Sequence, residues 1–275
     1  MAASVVQQSP RSSPDAAALP SRAASSAWLP RLIIGAVLLI IWELVVRQAA
    51  PAYVARPSGI ALAMPRVLAD AAFWTATSAT LGAVAQGLAI AIVIGTLLGL
   101  AIGRSPLADR LLRHYVNGFY AVPMVVVLPL VTLWFGYSGA ARLATIVFAA
   151  LFSVTLNIAD GARAVPAEYL EVSRAFRSGG WRRLIDIIMP ASTPYFLAGL
   201  RLAAGRALVA AVVAEYFTAI GGLGFFILFN SRTFRHNEAM VGVLLLAAFG
   251  VGLELLVAAA TRRLLPWYRR DERKE

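Results

Sequence analysis

Residues 168–190 read EYLEVSRAFRSGGWRRLIDIIMP, a polar, arginine-rich stretch set between long apolar segments. Glu168 and Glu171 lie near the start of a predicted short helix, and Arg174 and Arg177 lie near its end. This order of charges suits the positive and negative ends of a helix dipole. The stretch is therefore predicted to fold locally, as a short helix outside the hydrophobic part of the chain.

The rest of the stretch predicts a break and a second short helix. Gly179 and Gly180 are predicted to end the first helix, because glycine commonly terminates helices. The second helix is predicted to stop at the sequence Ile187 to Pro190. An apolar side formed by Tyr169, Val172 and Phe176 would suit docking to a soluble partner, or contact with a membrane surface as an interfacial helix.

The composition places the chain in a bilayer. Apolar residues make up 60% of it, charged residues 14%, and the mean hydropathy is +0.74, far from the values of soluble domains. Because a spanning helix needs about 20 apolar residues, and because open strands cannot satisfy their backbone in lipid, we predict an all-α polytopic membrane protein. About six transmembrane helices are expected, at 32–50, 77–102, 116–135, 140–160, 194–220 and 239–261.

The basic residues predict the orientation. The net charge of +11 comes mainly from arginines in segments that fall on the same side as both termini. The positive-inside rule therefore predicts cytoplasmic termini, with the 168–190 loop also in the cytoplasm, between the fourth and fifth helices. Since the basicity is explained by topology, nucleic-acid binding is disfavoured. The opposite side holds only Arg47, Arg56, Arg66, Arg142, Arg232 and Arg235.

Several kinds of chemistry are excluded by residue type. The chain has no cysteine, so it has no disulfide or thiolate site. Its two histidines, His114 and His236, are far apart and have no carboxylate at ligand spacing, so neither a metal site nor a cofactor is predicted. No glycine-rich phosphate loop followed by lysine is present. The chain itself is therefore not expected to be an enzyme.

The termini are predicted to lie outside the membrane domain. Residues 1–31 are rich in Ala, Ser, Pro and Arg and form a predicted mobile cytoplasmic extension. An organellar transit peptide has a similar composition, but this segment is interrupted by prolines and has no amphipathic face. The transmembrane domain is predicted over 32–265, and a charged cytoplasmic tail over 266–275.

Two patterns within the spans predict special packing. Gly95, Gly99 and Gly103 recur every four residues, which places them on one helix face where a neighbouring backbone can approach. Pro123 and Pro129 interrupt the third span and predict a kinked or locally unwound helix. Irregular backbone at membrane depth is tolerated against protein or a watery cavity, so this span is expected to line a translocation pathway.

Three carboxylates fall inside predicted spans, namely Glu43, Glu215 and Glu254. A charge in lipid is costly, so each should face a partner or water. Glu215 is the best candidate of the three for the translocation pathway, although for each of them pairing within the protein is favoured over contact with a substrate. Arg142, with Arg232 and Arg235, is placed where it would receive an anion at the outer mouth or contact lipid headgroups.

The 168–190 loop resembles the EAA loop of ABC importer permeases. The family pattern is Glu-Ala-Ala, a glycine four positions after the second alanine, and a later Ile-x-Leu-Pro. Glu171, Ile187, Met189 and Pro190 match it at the family spacing. Val172 and Ser173 replace the alanines, and Arg177 replaces the glycine. Downstream, GLRLAAGRALVAAVVAEYF followed by GGLGFFI resembles the sulfonate, taurine and nitrate subgroup, and the likeness covers roughly residues 60–268.

The resemblance implies a function and partners. It implies a bacterial inner-membrane permease subunit, paired with a second permease copy as a homodimer, that forms the pathway for a small organic or inorganic anion such as a sulfonate, taurine, nitrate or bicarbonate. An extracytoplasmic solute-binding protein would deliver the cargo. ATP would be hydrolysed by separate ATPase subunits, with the coupling loop seated on them through Glu168, Glu171, Arg174, Arg177, Gly179, Gly180, Ile187 and Pro190.

Two rival classes fit the residues less well. A secondary active transporter driven by an ion gradient would need an internal duplication and coupling-ion groups near the midplane. The halves show no convincing repeat, and ionisable residues there are few. A membrane-embedded enzyme would need converging acid, base or metal ligands, which the sequence lacks.

Overall fold

The computed structural model describes residues 28–51 and 53–264. Most of the predicted N-terminal extension and the whole tail at 266–275 lie outside these residues. Residues 28–31, predicted as part of the extension, belong to the first helix. The elements are α1 Trp28–Ala49, α2 Pro57–Leu68, α3 Ala71–Arg104, α4 Pro106–Ala121, α5 Met124–Phe135, α6 Gly139–Arg163, α7 Ala167–Ala175, α8 Gly180–Arg183, a π-helical turn Leu184–Ile188, α9 Met189–Thr218, α10 Leu223–Arg232 and α11 His236–Leu264.

The described residues are all-helical, as predicted, and they contain five single helices long and apolar enough to cross a membrane. These five are α1, α3, α6, the continuous helix Gly180–Thr218, and α11. The predicted third span is not a single helix in the structure. It consists of α4 and α5, which meet at an angle of 102°. The short helices α2 and α10 were not predicted.

The helix starts follow from their first residues. Asp70 accepts a hydrogen bond from the Ala72 N–H at 2.9 Å and begins α3. Ser105 caps α4 by accepting from the Ala108 N–H, and Pro106 occupies the first turn. Ser138 caps α6 in the same way. Each cap satisfies an N–H that has no partner within its helix, so these boundaries are set locally.

The core of the bundle is formed by α3, α6 and α9. Their facing residues are mostly small or β-branched and fully buried, and they include Ala91, Ile146, Val154, Ala203 and Ala207. Small side chains let helix backbones approach closely, which is how membrane helices gain van der Waals packing. These three helices therefore form the packed centre of the bundle, against which the loop and the bent pair lie.

The four-residue glycine repeat of α3 faces α6. A methyl group added at Gly95 would lie 2.9 Å from the Val154 Cβ, and one at Gly99 would lie 2.7 Å from both the Ile158 Cβ and the Thr155 carbonyl oxygen. One at Gly103 would lie 2.7 Å from the Ala159 carbonyl oxygen. Because carbonyl groups of α6 are among the nearest atoms, the helices cannot accept a side chain here without moving apart.

We expect Gly99→Ala to lower stability while Gly82→Ala does not. Both substitutions put alanine on α3, where helix propensity favours it by up to about 1 kcal/mol. A methyl group at Gly82 meets no atom within 4 Å, whereas at Gly99 it forces overpacking that costs about 1 to 3 kcal/mol. Thermal unfolding of the two variants in the same detergent should therefore shift in opposite directions, and equal shifts would contradict the close contact of α3 with α6.

The first helix is attached to the bundle at one point. The backbone N–H and the hydroxyl of Ser58 donate to the Glu43 carboxylate at 3.0 and 2.7 Å, and Arg47 Nε donates to it at 2.6 Å. Trp42 packs beside them against buried residues of α2, α10 and α11. Most other apolar side chains of α1 are exposed. Glu43 is therefore held by protein groups, which is the pairing that a carboxylate within a span requires.

The bent pair has a local cause at Pro123. Proline disfavours helical backbone in the residue before it, and Val122 is extended, with φ −70° and ψ 124°. Pro129, in contrast, is accommodated within α5, where the Thr132 hydroxyl donates to its carbonyl at 2.8 Å. The predicted kink therefore becomes a complete break at Pro123. With 12 residues, α5 is about 18 Å long and cannot span a bilayer core of about 30 Å alone.

Candidate functional site

The first short helix of the polar loop, α7, is built as its charges predict. Glu168 lies in its first turn and Arg174 in its last. Leu170 packs against Ala162, Val165 and Ile188, and Ser173 is buried. One side of α7 thus rests on the bundle, at the end where α6 stops and α9 starts.

A neighbouring side of α7 is apolar and is exposed among the residues that the structure describes. Tyr169 is 59% exposed, Val172 55% and Phe176 83%. Glu168 and Glu171 are also exposed. Trp181, at the start of α8, adds another exposed aromatic ring. We call Tyr169, Val172 and Phe176 the α7 face. Single exposed apolar residues are common, but neighbouring ones rimmed by charge indicate an interaction surface.

The first helix ends at Ala175 and the chain turns at Arg177, which corrects the prediction that Gly179 and Gly180 end it. Arg177 has a φ of +51°. Its N–H donates to the Arg174 carbonyl at 2.8 Å, and the Ser178 N–H donates to the Ser173 carbonyl at 2.9 Å. These two bonds form a Schellman motif, in which the left-handed residue is usually glycine. Gly179 has a φ of −61°.

The second helix does not stop at Pro190, contrary to prediction. It runs from Gly180 through a π-helical turn at Leu184–Ile188 and continues directly into α9. The Met189 N–H donates back to the Leu184 carbonyl. A proline lacks the N–H for a normal helical bond and its ring crowds the carbonyl four residues earlier. The wider π turn comes directly before Met189 and Pro190, so the helix continues through this point.

The residues of this segment differ in accessibility. Arg174, Arg177, Gly179, Gly180 and Pro190 are exposed, whereas Ile187 is half-buried and packs against the bundle. The structure therefore brings most of the predicted coupling residues to one exposed end of the molecule. Ile187 instead belongs to the contact that fixes the loop to α6.

A cavity of about 380 Å³ lies at the break between α4 and α5. Pro123 and its neighbours form one wall, and residues of α6 and α9 form the other. The guanidinium carbon of Arg206 lies 3.9 Å from the centre of the Tyr120 ring in this cavity. Pro129 is exposed on α5. The bend predicted to line a pathway thus borders an open space that contains an arginine.

Glu215 is completely buried and its carboxylate is enclosed by donors. Thr80 Oγ1 donates to it at 2.8 Å, the Gly224 N–H at 2.8 Å and Arg142 Nη1 at 3.1 Å. The Thr80 hydroxyl in turn accepts from the Leu223 N–H. Glu215 therefore joins α3, α6, α9 and α10. In this conformation it does not reach the surface, so pairing is the reading that the structure supports.

Arg142 also makes its polar contacts within the protein. Besides Glu215, its Nη1 donates to the Gly221 carbonyl at 3.3 Å. Its side chain is 14% exposed, so in this conformation it pairs within the protein, which differs from the expected contact with an anion or with lipid headgroups. Arg232 and Arg235 are exposed.

The family described as binding-protein-dependent transport system inner membrane component matches residues 91–270. This chain belongs to that family of ABC importer permeases. The predicted resemblance is thereby confirmed, and the matched segment includes the bent pair, the polar loop and the buried Glu215.

Characterised relatives of this permease carry names that indicate different cargoes. It is 28% identical over 235 residues to a formylaminopyrimidine transport permease of Halalkalibacterium halodurans, a match over 85% of this chain and 94% of the relative. It is 27% identical to the taurine transport system permease of Escherichia coli, over 85% of this chain and 87% of the relative. It is 30% identical to the nitrate import permease of Leptolyngbya laminosa, over 74% and 71%.

Solved structures support the same fold. The inward-facing MetNI methionine ABC transporter has a chain that aligns with 70% of the permease and 96% of itself, with a TM-score of 0.62 and 15% identity. An amino acid ABC transporter crystallised with histidines has a TM-score of 0.60, covering 74% of the permease and 97% of that chain at 17% identity.

Sequence reasoning missed the ion pairs that tie α4 to the end of α6 beside the loop. Asp109 pairs with Arg163, and Arg113 pairs with Asp160. Asp109 and Arg113 are four residues apart on a helix, a spacing that would have indicated one charged face. On α9, Arg201 pairs with Glu254 of α11, so Glu254 has a partner on another helix.

The described part of the permease contains no group of His, Asp or Glu residues arranged to hold a metal ion. Its relatives are named as transport permeases, and the chemistry expected of it is the movement of a solute.

Proposed function

We propose that this chain is the permease subunit of an ATP-driven importer in a bacterial inner membrane, that it forms the pathway for a small anion, and that it couples to separate ATPase subunits through residues 166–190. The observation that carries the proposal is the α7 face. Tyr169, Val172 and Phe176 are exposed on a short helix whose neighbouring side packs against the bundle through Leu170.

The coupling role requires that a displacement of α7 be transmitted to the membrane helices. Leu170 packs on Ala162 of α6 and on Ile188, just before α9. The second loop helix continues into α9 without a break. A displacement of α7 would therefore move α6 and α9 as a unit. Two discrete arrangements of such packed elements, biased by a nucleotide-dependent partner, form the two-state switch that alternating access needs.

The proposed cargo class rests on the names of the relatives. Relatives are named for aliphatic sulfonates, taurine, nitrate and bicarbonate.

The loop end of the bundle carries many arginines, which under the positive-inside rule would face the cytoplasm with both termini. We further propose a homodimer of permeases, served by an extracytoplasmic solute-binding protein.

The test is co-purification of the full chain, extracted in mild detergent from its native membrane, followed by uptake in vesicles. An ATPase of separate sequence should be retained with the chain, and uptake of a radiolabelled sulfonate by vesicles loaded with ATP should require the binding protein. Retention of no ATPase, or uptake that persists without ATP and collapses with the proton gradient, would instead indicate a secondary transporter.

A further inference from the structure

Arg206 differs from the other arginines that lie within α9 and α6. Arg201 pairs with Glu254, and Arg142 pairs with Glu215. For Arg206, no carboxylate lies within ion-pair distance among residues 28–51 and 53–264. Among those residues its guanidinium stacks on the Tyr120 ring, with the guanidinium carbon 3.9 Å from the ring centre.

The position of Arg206 makes an unpaired charge costly. It lies toward the middle of α9, Met189–Thr218, and the side chain is exposed. A guanidinium at membrane depth is unfavourable unless it meets water, a counter-charge or an aromatic face. The Tyr120 ring covers one flat face of the guanidinium group through a cation–π contact. Its edge, which carries the N–H donors, is left for another partner.

The space beside Arg206 has the dimensions of a ligand site. The cavity of about 380 Å³ falls within the range of roughly 300 to 1,000 Å³ typical of small-molecule sites. Its walls are mostly apolar and include Phe119, Phe148 and Phe152 with the broken backbone at Pro123. In such surroundings a single positive charge attracts anions more strongly than it would in water.

We propose that Arg206, held by Tyr120, is a binding site for a small oxyanion at the bend between α4 and α5. Guanidinium N–H groups bind planar or tetrahedral oxyanions through two parallel hydrogen bonds. The site rests on the proposed function, since it names the groups that would receive the cargo inside the pathway. A sulfonate, nitrate or carboxylate matches this chemistry, and a cationic solute does not.

The natural absence of cysteine permits a direct test in the full chain. Val209 lines the same cavity and is 64% exposed, so a Val209→Cys variant places one thiol beside Arg206. The probes are the anionic reagent sulfonatoethyl methanethiosulfonate and its cationic trimethylammonium counterpart. Labelling rates are measured in phosphatidylcholine vesicles without any ATPase partner.

The anionic reagent should react at least about tenfold faster than the cationic one relative to their rates with a free thiol, because a positive cavity concentrates anions. Sodium methanesulfonate should slow the anionic reaction. Adding Arg206→Gln should remove both the preference and the protection, whereas Arg206→Lys should keep part of the preference. The matched control is the double variant Arg201→Gln with Glu254→Gln, which removes an ion pair between α9 and α11 and should leave the preference unchanged.

Three results would overturn the site. The first is equal preference with and without Arg206. The second is no reaction of the thiol with either reagent, because Val209 would then face lipid. The third is slowing by phosphatidylglycerol in the bilayer with no competition from methanesulfonate, since the oxyanion bound would then be a lipid headgroup. Because the labelling needs no ATPase, failure of the site is distinguished from failure of the importer function, which the co-purification tests separately.

Discussion

Phe176→Asp is expected to abolish retention of the partner ATPase while the permease still inserts and folds. Phe176 is 83% exposed, so its replacement costs the isolated chain little. At an interface, a buried aromatic anchor often contributes about 2 kcal/mol or more, which corresponds to a loss of affinity of more than about tenfold. A carboxylate in its place would also be desolvated. The measurement is the amount of ATPase retained with the permease after extraction.

The matched control for this variant is Tyr137→Asp. Tyr137 is 72% exposed and comes just before α6, whereas α7 follows the end of α6. The same change in chemistry is therefore made at the opposite end of a spanning helix. Tyr137→Asp should retain the ATPase as the unaltered chain does. If Phe176→Asp retained it equally well, with ATP-driven uptake intact, the α7 face would not be the docking surface.

Glu215→Ala is expected to destabilise the fold more than Gly99→Ala does. It removes the acceptor of three donors and leaves Arg142, with a side chain 14% exposed, without its carboxylate. Breaking one partner from a buried ion pair typically costs about 3 to 5 kcal/mol. The apparent melting temperature in detergent should fall by on the order of 10 °C.

Two further variants test whether the loss of stability comes from breaking the buried ion pair between Glu215 and Arg142. Glu238→Ala removes a half-exposed carboxylate in the first turn of α11 and should cost at most about 1 kcal/mol. Glu215→Gln combined with Arg142→Gln removes both charges and should recover part of the loss, because no buried charge is left alone. A melting temperature for Glu215→Ala equal to that of Glu238→Ala would show that the carboxylate is not a structural link.

Arg177 illustrates what the sequence alone could not decide. Local propensity favours ending the helix at Gly179 and Gly180, since non-glycine residues in the left-handed region are strained. The structure instead places the turn at Arg177, where the family has glycine. Ser173 is buried and Leu170 rests on the bundle, so packing fixes the last turn of α7 and the backbone at Arg177 follows. Tertiary contacts here outweigh a local preference of about 1 to 2 kcal/mol.

The sequence by itself determined the membrane class, the apolar spans, the family and the polar loop, because these depend on composition, run length and local spacing. The tertiary structure decided which residues meet. It paired Glu215 with Arg142 and left Arg206 facing a cavity. Such pairings join residues far apart in the chain, and helix packing alone brings them within a few ångströms.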